Sequence, residues 1–127
     1  MSLEMVRAYC RLVRKHTARH YSPPVERAVL FIEADLSQDL SLRTISDSLN
    51  ISAGYLSTLF RHETGKTITD YVNEKRSEHA AALLCNSALQ VQTVAQYCGI
   101  SDVNYFTKIF KRYHGVTPRE YRKQNKV

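Results

Sequence analysis

From Val25 onward, apolar residues recur at helical rather than alternating spacing. Val25, Val29, Ile32 and Leu36 mark one face of an amphipathic helix. The preceding Ser22-Pro23-Pro24 suits its start, since proline fixes φ and lacks an N–H that a first turn leaves unused. Leu42, Ile45 and Leu49 lie at i, i+3 and i+7 of a short helix, with Ser41 placed to cap it. Asn50 falls where a helix stops in the left-handed conformation, and Ser52 is a natural N-cap for a second helix that turns Leu56, Leu59 and Phe60 inward. Short helix, tight turn, hydrophobic residue, capping serine and second helix together make a helix-turn-helix.

The same pattern occurs again further along. Leu42, Ile45, Leu49, Asn50, Ile51 and Ser52 match Val91, Val94, Cys98, Gly99, Ile100 and Ser101 at an offset of 49. Leu56, Phe60, Arg61, Gly65, Thr67 and Tyr71 match Phe106, Phe110, Lys111, Gly115, Thr117 and Tyr121 at an offset of 50. One residue is therefore inserted between Ser101 and Phe106. The second copy carries Phe106, Ile109 and Phe110 inward, and Gly99 takes the left-handed position of Asn50. Two copies are too few for a solenoid, and duplication of one small module is the better reading.

Between the copies, Thr67 and Asp70 resemble a capping box opening a helix to about Cys85, with Ile68, Tyr71, Val72, Lys75, His79 and Leu83 at helical spacing. About 18 residues at ~1.5 Å each give a strut of ~27 Å. Thr117-Pro118 starts a short last helix containing Tyr121 and Arg122. The expected fold is all-α: two helix-turn-helix subdomains joined by a long linker helix, about seven helices in all, plus an N-terminal helical extension. The expected boundaries are 1–22 for the extension, or a connector from an absent upstream domain, and 23–127 for the domain. Within it the first helix-turn-helix takes about 42–64, the linker helix 67–85 and the second unit 91–114.

Charge adds a direction. The net charge of +6 is unevenly placed: Lys+Arg against Asp+Glu is 5 to 1 over residues 1–22, 6 to 9 over 23–86, and 7 to 2 over 87–127. A basic patch favours a polyanionic partner, nucleic acid ahead of membrane surface. The strut length, against ~34 Å between successive major-groove faces, favours double-stranded DNA. No apolar run reaches the ~20 residues of a membrane span and no signal-peptide pattern opens the chain, so a cytoplasmic protein is expected. No Gly-rich phosphate loop, paired carboxylates, Ser/His/Asp arrangement or metal cluster appears, so neither enzyme activity nor a cofactor is expected. His16 and His20 stand at i, i+4 without a third ligand and read as part of a solvated basic face; Cys10, Cys85 and Cys98 lack metal spacing and read as small buried or half-buried thiols. The remaining rival is a protein-interaction module that kept this fold and lost DNA binding, a reading that acidic or apolar recognition faces would favour.

The string GISDVNYFTKIFKRYHGVTP over 99–118, followed by Tyr121-Arg122, and the earlier AGYLSTLFRHETG over 53–65, resemble the C-terminal DNA-binding domain of the AraC/XylS family of bacterial transcription regulators. The resemblance covers about residues 23–124. It implies a two-lobed, seven-helix domain whose third and sixth helices enter the major groove. Most members join it to a separate upstream sensing or dimerisation domain, expected to be absent from this chain, and a minority work as the domain alone. It also implies transcription activation by recruiting RNA polymerase. Two positions depart from the family pattern: Thr58 stands where many relatives carry a basic residue, and Gln90 replaces a small hydroxyl residue that commonly caps the fifth helix.

Residues off the apolar face of each second helix are the candidates for base edges. In the first unit these are Ala53, Tyr55, Ser57, Thr58 and Arg61; in the second, Val103, Asn104, Thr107 and Lys108. Asn104 suits adenine N6 and N7, Lys108 suits guanine O6 or N7, and Ser57 and Thr58 are permissive readers; the alternative for each is contact with phosphate or water only. Candidate phosphate contacts are His62, Lys111, Arg112, Arg119, Arg122 and Lys123, with backbone N–H groups at helix starts beside Ser41, Ser52 and Ser101.

Overall fold

The computed structural model describes residues 20–125. The expected N-terminal extension, with Cys10 and His16, lies outside them except for its last residues. Among the described residues there are seven helices and no strand: α1 Pro23–Ala34, α2 Leu42–Leu49, α3 Ala53–Thr64, α4 Ile68–Asn86, α5 Val91–Tyr97, α6 Val103–His114 and α7 Pro118–Gln124. None of these helices is long and apolar enough to cross a membrane.

There are two cores. Val25, Ala28, Ile32, Leu40, Ile45, Leu49, Leu56 and Phe60 form the first with Ile68 and Val72 from the start of α4. Ala80, Ala81 and Leu84 from the end of α4 form the second with Val94, Ala95, Cys98, Ile100, Phe106, Ile109 and Phe110. α4 is thus the last helix of one unit and the first helix of the next. This differs from the single stripe read from the sequence: His79 is exposed, and α4 instead carries two half-length apolar stripes on different faces. At its waist stand two buried polar residues, Asn73 and Ser77.

The duplication is visible in the turns. In the first unit Asn50 N–H bonds Asp47 O at 3.1 Å and Ile51 N–H bonds Ser46 O at 3.1 Å; in the second Gly99 N–H bonds Gln96 O at 3.0 Å and Ile100 N–H bonds Ala95 O at 2.9 Å. This double bond, with the left-handed residue at φ 62 or 87, closes each short helix and satisfies its last carbonyls. Beyond the second helices, Gly65 and Gly115 end α3 and α6 in the same left-handed way, and Thr67 and Thr117 cap α4 and α7. Tyr71 then meets Phe60 edge-on at 5.4 Å, as Tyr121 meets Phe110 at 5.3 Å. Each ring pair ties a unit's last helix to its second helix.

A further correspondence was not read from the sequence. Arg76 of α4 donates to Leu36 O at 3.0 Å and Gln38 O at 2.8 Å, just past α1. Arg122 of α7 donates to Leu84 O at 3.0 Å and Ser87 O at 3.3 Å, at the end of α4. In each unit a guanidinium from the last helix takes up carbonyls where the first helix ends, beside the local bonds that Gln38 Nε2 makes to Phe31 O and the Ser87 hydroxyl to Leu83 O.

α5, like α1, starts without a side-chain cap bond, and it lacks the prolines that open α1. Its N-cap Gln90 has the extended backbone of a cap but makes no side-chain cap bond, whereas Ser41 accepts from Thr44 N–H and Ser52 from Tyr55 N–H. Gln90→Ser should therefore raise the unfolding free energy by about 0.5–1 kcal/mol, read from urea unfolding curves. No gain would mean that solvent already satisfies those N–H groups at no cost.

Candidate nucleic-acid interface

The second helix of each unit is held from beneath and open on its outer side. In α3, Leu56 and Phe60 are buried, which leaves Tyr55, Ser57, Thr58, Arg61 and His62 exposed and Ala53 half-buried. In α6, Phe106, Ile109 and Phe110 are buried, leaving Asn104, Lys108, Lys111 and Arg112 exposed and Val103 and Thr107 half-buried. Val103, Asn104, Thr107 and Lys108 therefore share one face of α6, and Ala53, Ser57, Thr58 and Arg61 one face of α3, with Tyr55 turned to its side, because the apolar positions that seat each helix fix the orientation of the rest. The Thr107 hydroxyl donates to Val103 O at 2.9 Å, so it presents its oxygen outward as an acceptor. The side chains of Ser57, Thr58, Arg61, Asn104 and Lys108 hold no hydrogen bond to other described residues, and so are available to a ligand.

Tyr105, the counterpart of Tyr55, was missed. It is 49% exposed, against 54% for Tyr55, and it lines the cleft between the units with Asp39, Arg76 and Gly99. The offset of 50 that pairs the two tyrosines was the signal that could have found it.

The start of α6 corrects an expectation. Asp102, not Ser101, is its N-cap: one carboxylate oxygen accepts from Asn104 N–H at 2.9 Å and Tyr105 N–H at 3.3 Å. Asp102 takes the N-cap place of Ser52 at the offset of 50, which leaves Ser101 as the extra residue of the second copy, one place outside the helix. A carboxylate on these N–H groups both occupies and repels the phosphate expected beside Ser101. Ser41 and Ser52 are caps as expected, and both are exposed. Arg122, expected among the phosphate anchors, directs its guanidinium to the end of α4 and is half-buried. Arg119 and Lys123 are exposed on α7, and Arg119 lines a groove with Gln90, Val91 and Gln92 at the start of α5.

Both units are braced behind these helices. Glu63, near the end of α3, accepts from Ser22 N–H at 2.8 Å and from the Ser22 hydroxyl at 2.6 Å, so α3 is tied to the start of α1. These two bonds hold its carboxyl below the ordinary glutamate range. On the other side of the first unit, Tyr71 OH donates to Glu33 at 2.6 Å. In the second unit the His114 ring stacks on Phe110 at 4.3 Å, with Nε2 3.2 Å from Ser77 O. Burial pushes the Cys98 thiol up to about 12, so it is a neutral core group at neutral pH and no nucleophile.

A helix-turn-helix domain family matches residues 45–124. The chain is 35% identical over 100 residues to the regulatory protein PocR of Salmonella typhimurium, a match that takes in 79% of this chain and 33% of PocR. The chain therefore spans about a third of that relative's length. The C-terminal domain of AraT, a response regulator from Geobacillus stearothermophilus, superposes with a TM-score of 0.83 at 34% identity, over 86% of this chain and 91% of that one. The DNA-binding domain of AdpA, a global transcriptional factor solved in complex with a target DNA, superposes with a TM-score of 0.76 at 25% identity, over 81% of this chain and 93% of that one.

The Glu63 brace has a pH signature. Because its folded pKa is depressed, its contribution is complete above the ordinary glutamate range and is lost as the pH falls through the folded value. Between about pH 5 and pH 3, the stability of the wild type should fall more steeply than that of Glu63→Gln. Asp35, Asp39 and Glu120 are also depressed but are common to both proteins, so the difference isolates Glu63. Parallel curves would show that the Ser22 bonds contribute nothing net.

Proposed function

Because this chain belongs to the AraC family of helix-turn-helix, DNA-binding transcription regulators, we propose that it binds a specific double-stranded DNA site with α3 and α6 in consecutive major-groove segments and so regulates bacterial transcription from within the cytoplasm. The observation that carries this reading is the pairing of two seated helices, each with polar side chains uncommitted on its outer face, on one rigid helix. At 19 residues, α4 spans roughly 28 Å, close to the ~34 Å between successive major-groove faces.

In this proposal α6 supplies the sharper readout. Asn104 offers both a donor and an acceptor for adenine, and Lys108 a donor for guanine, with Val103 and Thr107 lining the same face. α3 reads more permissively through Ser57 and Thr58, with Ala53, Tyr55 and Arg61 alongside. Lys111, Arg112, Arg119 and Lys123 hold phosphates, joined by His62 and by the N-terminal N–H groups behind Ser41 and Ser52. Residues 23–127 form the DNA-binding domain, residues 1–22 connect it to a sensing or dimerisation domain elsewhere in the full protein, and the regulator acts by recruiting RNA polymerase rather than by catalysis.

Selection from a pool of genomic fragments, with the bound fraction sequenced, should enrich a motif of two short blocks about one helical turn apart. Asn104→Ala and Lys108→Ala should each weaken binding to that site by about 1–3 kcal/mol and relax selection at one position of one block. An unchanged motif in both variants would remove α6 from the bases. Against this, replacing Arg119 and Lys123 with alanine should leave the motif intact and lower the slope of log K against log salt by about 0.9 per lost contact. A slope equal to that of the wild type would remove α7 from the phosphates. Arg122→Ala should instead lower stability, as its guanidinium serves the end of α4.

A further inference from the structure

Gly99 and Asn50 hold equivalent places in the two turns, yet their surroundings differ. Asn50 is exposed. Gly99 is half-buried against the other unit: a Cβ there would stand 2.4 Å from Leu36 O, 2.9 Å from Nη2 of Arg76 and 3.0 Å from its Cζ. Leu36 belongs to the loop between α1 and α2, and its carbonyl is the one that accepts from Arg76 Nε at 3.0 Å. The turn of the second unit and the loop of the first unit therefore approach backbone to backbone at one point, and the Arg76 side chain from the middle of α4 joins them there. The left-handed φ explains why position 99 favours glycine or asparagine, whereas the close approach admits only the residue without a side chain. Arg76 is partly desolvated there, with Asp39 on the first unit and Cys98 and Tyr105 on the second in its electrostatic reach.

Each unit has its own core and both cores seat on α4, so the units can turn against each other only by twisting or bending of that one helix, unless a contact between them resists it. We propose that the junction of Gly99, Arg76 and Leu36 is a positioning device that locks this rotation and thereby sets the separation and helical phase of the two DNA blocks the chain accepts. This rests on the bipartite reading above. Two linked readers gain affinity only as far as the link already holds them at the right geometry, because the second docking is then an intramolecular step. A loosened junction leaves each unit folded and able to meet its own block, but weakens binding to both together.

The discriminating variant is Gly99→Asn, in the full chain. Asparagine accepts the left-handed turn, as Asn50 does at φ 62, and so introduces only the collision with Leu36 O and the Arg76 guanidinium. Arg76→Ala is the second variant, which keeps glycine at 99 and removes the clamp. Asn50→Gly is the control, because position 50 faces solvent. The first readout needs no DNA: residual dipolar couplings of the two units should fit one alignment tensor in the wild type and Asn50→Gly, and two tensors in Gly99→Asn and Arg76→Ala. The second uses the two-block DNA enriched by the wild type, the same DNA with one block scrambled, and a series with the block spacing altered in single base pairs. Binding to the two-block DNA should fall about ten-fold or more, single-block binding should stay within about two-fold, and the spacing preference should broaden.

A variant that only destabilises the fold would weaken single-block and two-block binding alike, and that result would overturn the proposal. So would a single tensor with unchanged spacing preference in both variants. If the tensors divide but the wild type itself shows no preference for two blocks over one, the bipartite reading has failed and the junction does not serve DNA positioning.

Discussion

Nineteen residues of α4 must serve two hydrophobic cores at once, and most features of the structure answer to that demand. A helix seated in one core presents one apolar stripe; α4 presents two, Ile68 and Val72 at one end and Ala80, Ala81 and Leu84 at the other. Where the stripes change face, the helix carries Asn73 and Ser77, small polar residues that neither core claims. The Ser77 hydroxyl has no hydrogen-bond partner among the described residues, while its carbonyl lies 3.2 Å from His114 Nε2. A buried hydroxyl left unpaired costs about 1–3 kcal/mol. Such a cost is tolerable at a waist where a larger apolar side chain would have to choose one core.

Sharing a helix also creates a problem of ends. In a duplicated unit each first helix needs its C-terminal carbonyls satisfied, but the first helix of the second unit is the tail of α4. On both sides an arginine reaches back from the unit's last helix to carbonyls around that end, Arg76 to Leu36 and Gln38 in the loop just past α1, Arg122 to Leu84 of α4 and Ser87 just past it. The planar guanidinium suits this because it can address two carbonyls of one loop simultaneously, which an ammonium on a flexible stem does with less order. In the first unit this clamp is also where the second unit's turn makes its close approach.

The helices and their order were legible from apolar spacing and from the repeat, since local periodicity and turn chemistry determine both. Asn50, Gly99, Thr67 and Thr117 could be placed because left-handed turns and N-caps depend on neighbours within a few residues. The Arg76 and Arg122 clamps could not, because each spans 35–40 residues and a basic residue on a basic chain reads as a surface charge. Asp102 was hidden differently: the repeat aligned Ser101 with Ser52, and only the position of the inserted residue decides which of two adjacent capping types is used. The outward faces of α3 and α6 followed directly from the buried ones, whereas Tyr105 was lost by treating the second copy separately from the first.

The two units are unequal in charge, and this gives the junction its consequence in the proposed reading. Residues 87–127 carry seven basic against two acidic residues, while residues 23–86 carry six against nine. In the second unit Lys108, Lys111 and Arg112 lie along α6 and Arg119 and Lys123 on α7, all exposed, so attraction to a phosphate backbone is concentrated there. The exposed face of α3 offers hydroxyls, one tyrosine, one arginine and one histidine, and Glu63 behind it is committed to Ser22. A reader so weakly charged gains little by diffusing to DNA alone. It gains much once the other unit has already brought it to the groove, provided that its orientation is fixed beforehand. The less basic a reader is, the more its contribution depends on being held in place, and in this chain the holding is done by the middle of α4, one loop carbonyl and a glycine that leaves room for it.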